Sequence, residues 1–339
     1  MHVGTPTAYV NHRAEPTTML DVFFTVDVEI WCDGWTDIDA KFPEAFRRYI
    51  RGPAPHRECA LQYMTEVLRD HGLHGVYFVE PLFSLRFGKD PLAEIVGIIQ
   101  GTGQEVQLHL HPEWVDESRV ALFPAPGPKR PNLHQYTLGE QTHLVRVGRD
   151  LLMQAGAAEP RAFRAGNFQF NRDTLAALEH HGIPFDSSYN GSLCARARDV
   201  FSGTMVLDVT ACGPQLHEYP IAVFDDGTGT LRHVQIGACS FTEIESLLWQ
   251  AAGQKRQSFV ILCHNFELMN PARTRQDTIV MNRFRKLCRF LDRHRDSFRT
   301  CGFRELQAPR AAAAPPMLRS PIWKTGARML EQFYRRRYR

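Results

Sequence analysis

Two short runs carry the groups that could do chemistry. In Phe23-Phe24-Thr25-Val26-Asp27-Val28-Glu29 an apolar stretch ends in two carboxylates. Residues two apart on a strand share a face, so Asp27 and Glu29 project together where a buried strand reaches the rim of its sheet. In Glu105-Val106-Gln107-Leu108-His109-Leu110-His111-Pro112 the same spacing aligns two imidazoles, and Pro112 stops the strand. Asp-x-Glu on one strand end and His-x-His on another offer the oxygen and nitrogen donors of a metal site. One carboxylate then serves as a general base and the other as a ligand, Glu29 being the natural partner of His109 and His111. Two histidines and one carboxylate leave a coordination position open for water, as a hydrolytic centre requires.

Three more polar residues end apolar stretches. Arg164, in Phe163-Arg164-Ala165-Gly166-Asn167-Phe168, reads as the ion-pair partner of a carboxylate, a role both orienting and structural. Asp186 follows Pro184-Phe185 and either joins the site or caps a turn through Ser187 and Ser188. His264 ends the most apolar run, Ser258 to His264, and is either a general acid for a leaving group or a packed core histidine. Cys263 alternates with it and is assigned to packing. Trp31 and Trp35 follow the carboxylates directly. They read as core or lid, or as a wall on which a sugar stacks.

The elements that must position these groups alternate. Strands are expected at 21–28, 76–79, 105–111, 162–164, 184–188, 216–224 and 258–264. Helices are expected at 57–70, 92–101, 137–156, 175–181, 244–252 and 277–296. Thr137-Leu138-Gly139-Glu140 reads as a capping box, and Gly72 closes the first of these helices. Residues 30–55 are an aromatic insertion, and 115–136 a long Pro- and Gly-containing loop. Strand–helix alternation predicts an α/β fold of parallel strands with crossover helices, whose sites gather at the carboxyl ends of strands. Asp27, Glu29, His109, His111, Arg164, Asp186 and His264 all fall at such ends.

The 339 residues suffice for a sizeable core, with 43% hydrophobic and 23% charged residues. The formal charge is +3 but uneven: 315–339 hold seven Lys and Arg against one Glu, and the rest carries 33 basic and 36 acidic residues. A body of that balance is not expected to bind nucleic acid. The eight cysteines contain no Cys-x-x-Cys pair, which argues against a zinc ribbon or a disulfide framework. With no signal-peptide core at the N-terminus, the expectation is a cytoplasmic protein.

In this order the motifs resemble those of the polysaccharide deacetylase family, the NodB-homology or carbohydrate esterase family 4 enzymes. The likeness runs from about residue 19 to 306. Thr25-Val26-Asp27-Val28-Glu29 resembles the family's first motif, with base and metal carboxylates. His109-Leu110-His111-Pro112 resembles the second, with the metal histidines. Phe163 to Phe168 resembles the third, Asp186-Ser187-Ser188 the fourth and Leu262-Cys263-His264 the fifth. Two departures stand out: Val28 separates two acids that the family usually sets side by side, and the histidines lie two apart instead of four.

The resemblance implies a distorted (β/α) barrel in one catalytic domain, 19–308, after a loose N-terminus, 1–18. It implies hydrolysis of an N-acyl group, N-acetyl in the first instance, from a sugar. A divalent metal, zinc by expectation, would sit on Glu29, His109 and His111. Asp27 would be the base, Arg164 its orienting partner and His264 the acid, with Asp186 in the catalytic set. Leu262 would line the acyl pocket, and Trp31, Trp35, Asn167 and Phe168 would face the substrate. A deformylase acting on an amino-sugar carrier would use the same residues, whereas a catalytically silent sugar-binding relative has no need of both Asp27 and His264.

The remaining 309–339 form a basic tail. Trp323, Ala327, Leu330 and Tyr334 recur at helical spacing, with Lys324, Arg328 and Arg335 on a neighbouring face. A basic amphipathic helix of this kind suits peripheral contact with the inner membrane surface through 315–339, and hence a lipid-linked sugar substrate. The alternative is a tail packed on the body.

Overall fold

Alternation within the first strand decides which way its groups face. Val22, Phe24, Val26 and Val28 turn into the core under the helices, while Phe23 joins a second apolar cluster on the other face, the face of Thr25 and Asp27. The computed structural model describes residues 19–54, 58–124, 128–193, 200–306, 309 and 313–338. The expected loose segment 1–18 and Cys194 lie outside them.

The chain runs β1 (Leu20–Val28), α1 (Ile38–Phe46), α2 (Leu61–Asp70), β2 (Gly75–Val79), α3 (Ser84–Phe87), α4 (Asp90–Gly101), β3 (Glu105–Leu110) and α5 (Leu138–Gln154). It continues through β4 (Ala162–Ala165), α6 (Arg172–His180), β5 (Phe185–Asp186), β6 (Thr210–Ala211), β7 (His217–Glu218), β8 (Val223–Asp225) and β9 (Leu231–His233). It closes with α7 (Phe241–Gly253), β10 (Ser258–His264), α8 (Thr278–Arg293), β11 (Phe298–Thr300), β12 (Leu318–Arg319) and α9 (Ile322–Tyr338).

The main sheet has the order β10-β1-β2-β3-β4-β5-β7-β6, with β11 also beside β1, and curls into a half-barrel. Its pairs are parallel except β6–β7. A small sheet, β12-β8-β9, adds a second antiparallel pair. Both exceptions to the all-parallel expectation join strands only a few residues apart, too close for a crossover helix. The helices bury one face of the main sheet. Phe23, Phe78, Phe168, Tyr219, Leu262 and Phe303 fill the other.

Local chemistry explains where the elements depart from expectation. Helix α2 starts at Leu61, not near 57, because Cys59 and Ala60 donate their amides back to Arg51 and Gly52. The 30–55 insertion is partly helical: α1 runs into a π-turn over Arg47–Arg51. The Thr137–Glu140 box forms as read, Thr137 N donating to Glu140 Oε2 at 2.8 Å.

The C-terminal segment returns to the body. β12 pairs with β8, and α9 lies against α7. The basic residues of α9, not its apolar ones, make the contact with the body. Arg328 is buried and ion-paired to Asp226 (3.2 Å) and Glu243 (3.1 Å), and Arg335 is paired to Asp277. The apolar face is outward instead: Trp323, Leu330 and Tyr334 are 66%, 72% and 51% exposed.

Candidate active site

β1 carries Asp27 and runs on into Glu29, β3 carries His109 and runs on into His111, and their carboxyl ends meet inside the half-barrel. His109 Nε2 and His111 Nε2 both point at Glu29 Oε1, at 3.2 and 2.9 Å. All three residues are buried, and their ligand atoms lie within 4.8 Å of one another. Each imidazole is fixed through its other nitrogen. His109 Nδ1 donates to the Arg164 carbonyl (2.8 Å), and His111 Nδ1 lies 3.2 Å from Glu113 Oε2. A carbonyl only accepts, so His109 donates from Nδ1, and Nε2 is the nitrogen turned toward the carboxylate oxygen. Two imidazole nitrogens and a carboxylate oxygen converging on one point make a donor set for a cation, and outer carboxylate and carbonyl partners are how metal-binding histidines are held. The residues fit a divalent ion of the zinc class. Burial works to raise the Glu29 carboxyl, but the two imidazoles outweigh it and hold it well below the usual carboxylate range.

Asp27 lies on β1, two residues before Glu29. Arg164 Nη1 donates to its Oδ1 at 2.5 Å, and the guanidinium also donates to Thr25 Oγ1, the Ser187 carbonyl and Ser187 Oγ. Phe78 backs the guanidinium, 4.2 Å from the ring centroid. Asp27 is in register with His264 across β1–β10, and Asp27, Glu29 and His264 form a second cluster within 4.8 Å.

His264 is half-buried, and its Nδ1 meets Glu267 Oε1 at 2.8 Å. Burial would lower this imidazole, but Glu267, Glu29 and Asp27 around it prevail and raise it to about 9. Glu267 is itself gripped by Gln235 and by the Gly237 amide.

Asp186 lies behind this centre, buried on β5. Ser188 Oγ donates to its Oδ1 at 2.5 Å and in turn accepts from the Ala165 amide. Its cross-strand partner is Glu218. Asp186 Oδ2 and Glu218 Oε2 are buried with no other partner, so one proton shared between the acids satisfies both. Burial and mutual repulsion raise Glu218 well above the usual range.

The other residues read as substrate contacts are spread around the rim. Trp31 donates Nε1–H to Glu29 Oε2 at 2.8 Å and sets its ring edge-on to His111, so its polar atom is spent on Glu29. Trp35 is half-buried under Lys129, whose Nζ is 3.6 Å from the ring centroid. Asn167 is exposed, and its amide donates to Glu113 Oε1 (3.0 Å). Phe168 and Leu262 belong to the interior apolar cluster. Asn167 and Phe168 both have positive φ, 55° and 56°, in a tight turn just past Arg164. Before that turn, Gly166 leaves room for a ring: a Cβ there would come 2.7 Å from His111 Nδ1.

Sequence reasoning missed Glu113, Glu267 and Glu80, and read Glu218 only as part of an extended segment, Glu218-Tyr219-Pro220, like one that recurs in the family. The first two had a local signal, an acid two or three residues after a singled-out histidine. Glu80 accepts from the Leu82 and Phe83 amides, and burial raises it to about 8.

No family sequence profile matches the chain, and no curated protein is recognisably similar to it in sequence. Solved structures do match. A Mycobacterium smegmatis protein provisionally named a polysaccharide deacetylase aligns with a TM-score of 0.53 at 16% identity, over 92% of this chain and 99% of its own. The family 4 carbohydrate esterase of Streptomyces lividans, solved with acetate, aligns at 0.42 and 11%, over 84% of this chain and 93% of that one. Overlap along nearly the whole of both chains gives this chain the fold of that Mycobacterium smegmatis protein.

Proposed function

We propose that the chain is a metal-dependent hydrolase that removes an N-acyl group, N-acetyl in the first instance, from a sugar in a glycan or glycolipid precursor. One observation carries this reading: two imidazole Nε2 atoms converge on a single buried carboxylate oxygen, with Asp27–Arg164 on one side and His264–Glu267 on the other. Glu29, His109 and His111 would hold the ion, and when bound it supplies Lewis-acid activation of the acyl group and of water.

This chain's residues do the rest. Asp27, oriented and charge-compensated by Arg164, takes a proton from the water that adds to the acyl carbon. His264 gives its proton to the amine nitrogen as the C–N bond breaks, yielding a carboxylate and a free amino sugar. Leu262 and the interior cluster border the acyl methyl. Asp186, joined through Ser188 Oγ to the Ala165 amide, supports the strand end that carries Arg164. A sugar carried on a lipid is the substrate form that the exposed face of α9 would suit.

The test is metal analysis of the purified protein beside release of acetate and free amine from a panel of N-acetylated sugars, free and lipid-linked. Stoichiometric metal with acetate release is expected. A metal-loaded protein that releases no acyl group from any of them would end this reading.

A further inference from the structure

α9 is amphipathic the wrong way round for a helix that packs by its apolar face. Its inward side is polar. Arg328 is buried between Asp226 and Glu243, Thr325 Oγ1 donates to the Asp226 carbonyl (2.6 Å), and Gln332 donates to the Ala238 carbonyl (2.9 Å). Arg283–Glu331 (2.8 Å) and Arg335–Asp277 add two more ion pairs. Buried pairs hold one orientation strictly, because a helix rolled about its axis would strand each charge. The outward side carries Ile322, Trp323, Met329, Leu330, Phe333 and Tyr334, each more than half exposed. Their spacing makes one continuous stripe, and these six are half of the large apolar side chains exposed among the described residues.

A stripe of this kind marks an interaction surface. Charge selects its occupant. Arg319 and Arg337 are exposed at its two ends, and the single acid of the helix, Glu331, is neutralised from within by Arg283. A second copy would set the same arginines against each other. An anionic bilayer complements them, and Trp, Phe and Tyr on one face of a helix match the headgroup boundary. We propose that α9 docks the protein on an anionic lipid surface, apolar stripe down, with the body held above it by the ion-paired face.

The helix also touches the candidate site. Arg335 Nη1 donates to the Gly237 carbonyl (3.2 Å), and the Gly237 amide donates to Glu267, the partner of His264. Docking and the acid share one loop. The docking itself does not depend on the deacylation reading, and its test measures binding alone.

The full chain is floated with vesicles of neutral phosphatidylcholine and with vesicles containing phosphatidylglycerol. Binding should rise with phosphatidylglycerol, weaken with salt, and fall roughly tenfold in Trp323→Ser/Leu330→Ser/Phe333→Ser, whose side chains touch solvent, not core. Matching melting curves show that the variant is folded. Should it not fold, Arg319→Glu/Arg337→Glu is the second arm and should lose the phosphatidylglycerol dependence. Absence of wild-type binding to either vesicle, or undiminished binding of the folded triple variant, overturns the proposal. So does a dimer in sedimentation that the triple variant dissolves, because the face would then belong to a second copy.

Discussion

Arg164 reaches from β4 to β1 and closes on Asp27, Nη1 to Oδ1 at 2.5 Å, with both residues out of contact with solvent. The same guanidinium holds Thr25 and Ser187, so one cation ties three strands together at the rim. Removing either partner leaves a buried charge uncompensated. Arg164→Met should therefore destabilise the fold by about 4 kcal/mol in urea unfolding, beyond its effect on turnover. A variant as stable as wild type would mean the pair is not buried in solution.

Asp27→Asn keeps size and one acceptor but removes the base. Metal content should be unchanged while kcat falls about a thousandfold, within the range of general-base contributions. Metal analysis and acetate release on one preparation check both halves. Full activity would remove the base assignment.

His111 is held from behind by Glu113 and bordered by Gly166. Glu113→Gln should weaken metal affinity roughly 10- to 100-fold, the usual cost of losing an outer partner. Gly166→Ala should weaken it too, because the added methyl meets the imidazole. Competition with a chelator reads both, without reference to activity.

Turnover should lose its acid as pH rises. His264 is needed protonated, and the carboxylates around it raise it to about 9, so the alkaline limb of the rate profile should fall near there. Glu267→Gln removes the nearest of those charges and should move the limb toward the ordinary histidine range. An unmoved limb would show that another group sets it.

Asp186 and Glu218 hold a proton that the unfolded chain releases, since burial raises both acids above their ordinary values. A carboxyl raised in the folded state favours folding at low pH, and that share is lost as pH climbs through the folded value. Glu218→Gln supplies the hydrogen permanently through its amide. The wild type should therefore lose stability relative to this variant between the ordinary carboxylate range and the raised value. Parallel stability–pH curves would exclude a shared proton.

What could be read from the sequence follows from the range of the forces involved. The strand ends bearing Asp27, His109, Arg164 and His264 were legible because apolar alternation is local and a parallel sheet brings carboxyl ends to one rim. The pairing of Asp186 with Glu218 was not, since register between β5 and β7 is set by the whole sheet. Which face of α9 turns inward was not legible either, for a similar reason. Periodicity defines a stripe, but Asp226, Glu243 and Asp277 decide which side turns inward, and they lie far away in the chain.

Asp27 and His264 occupy the same rung of the β1–β10 ladder. The groups proposed as proton acceptor and proton donor thus start from backbones one strand spacing apart, ~4.8 Å, a distance the ladder fixes and no surface loop can stretch. Mutational drift in the segments around the mouth can then alter what enters while the spacing of these two backbone positions stays constant.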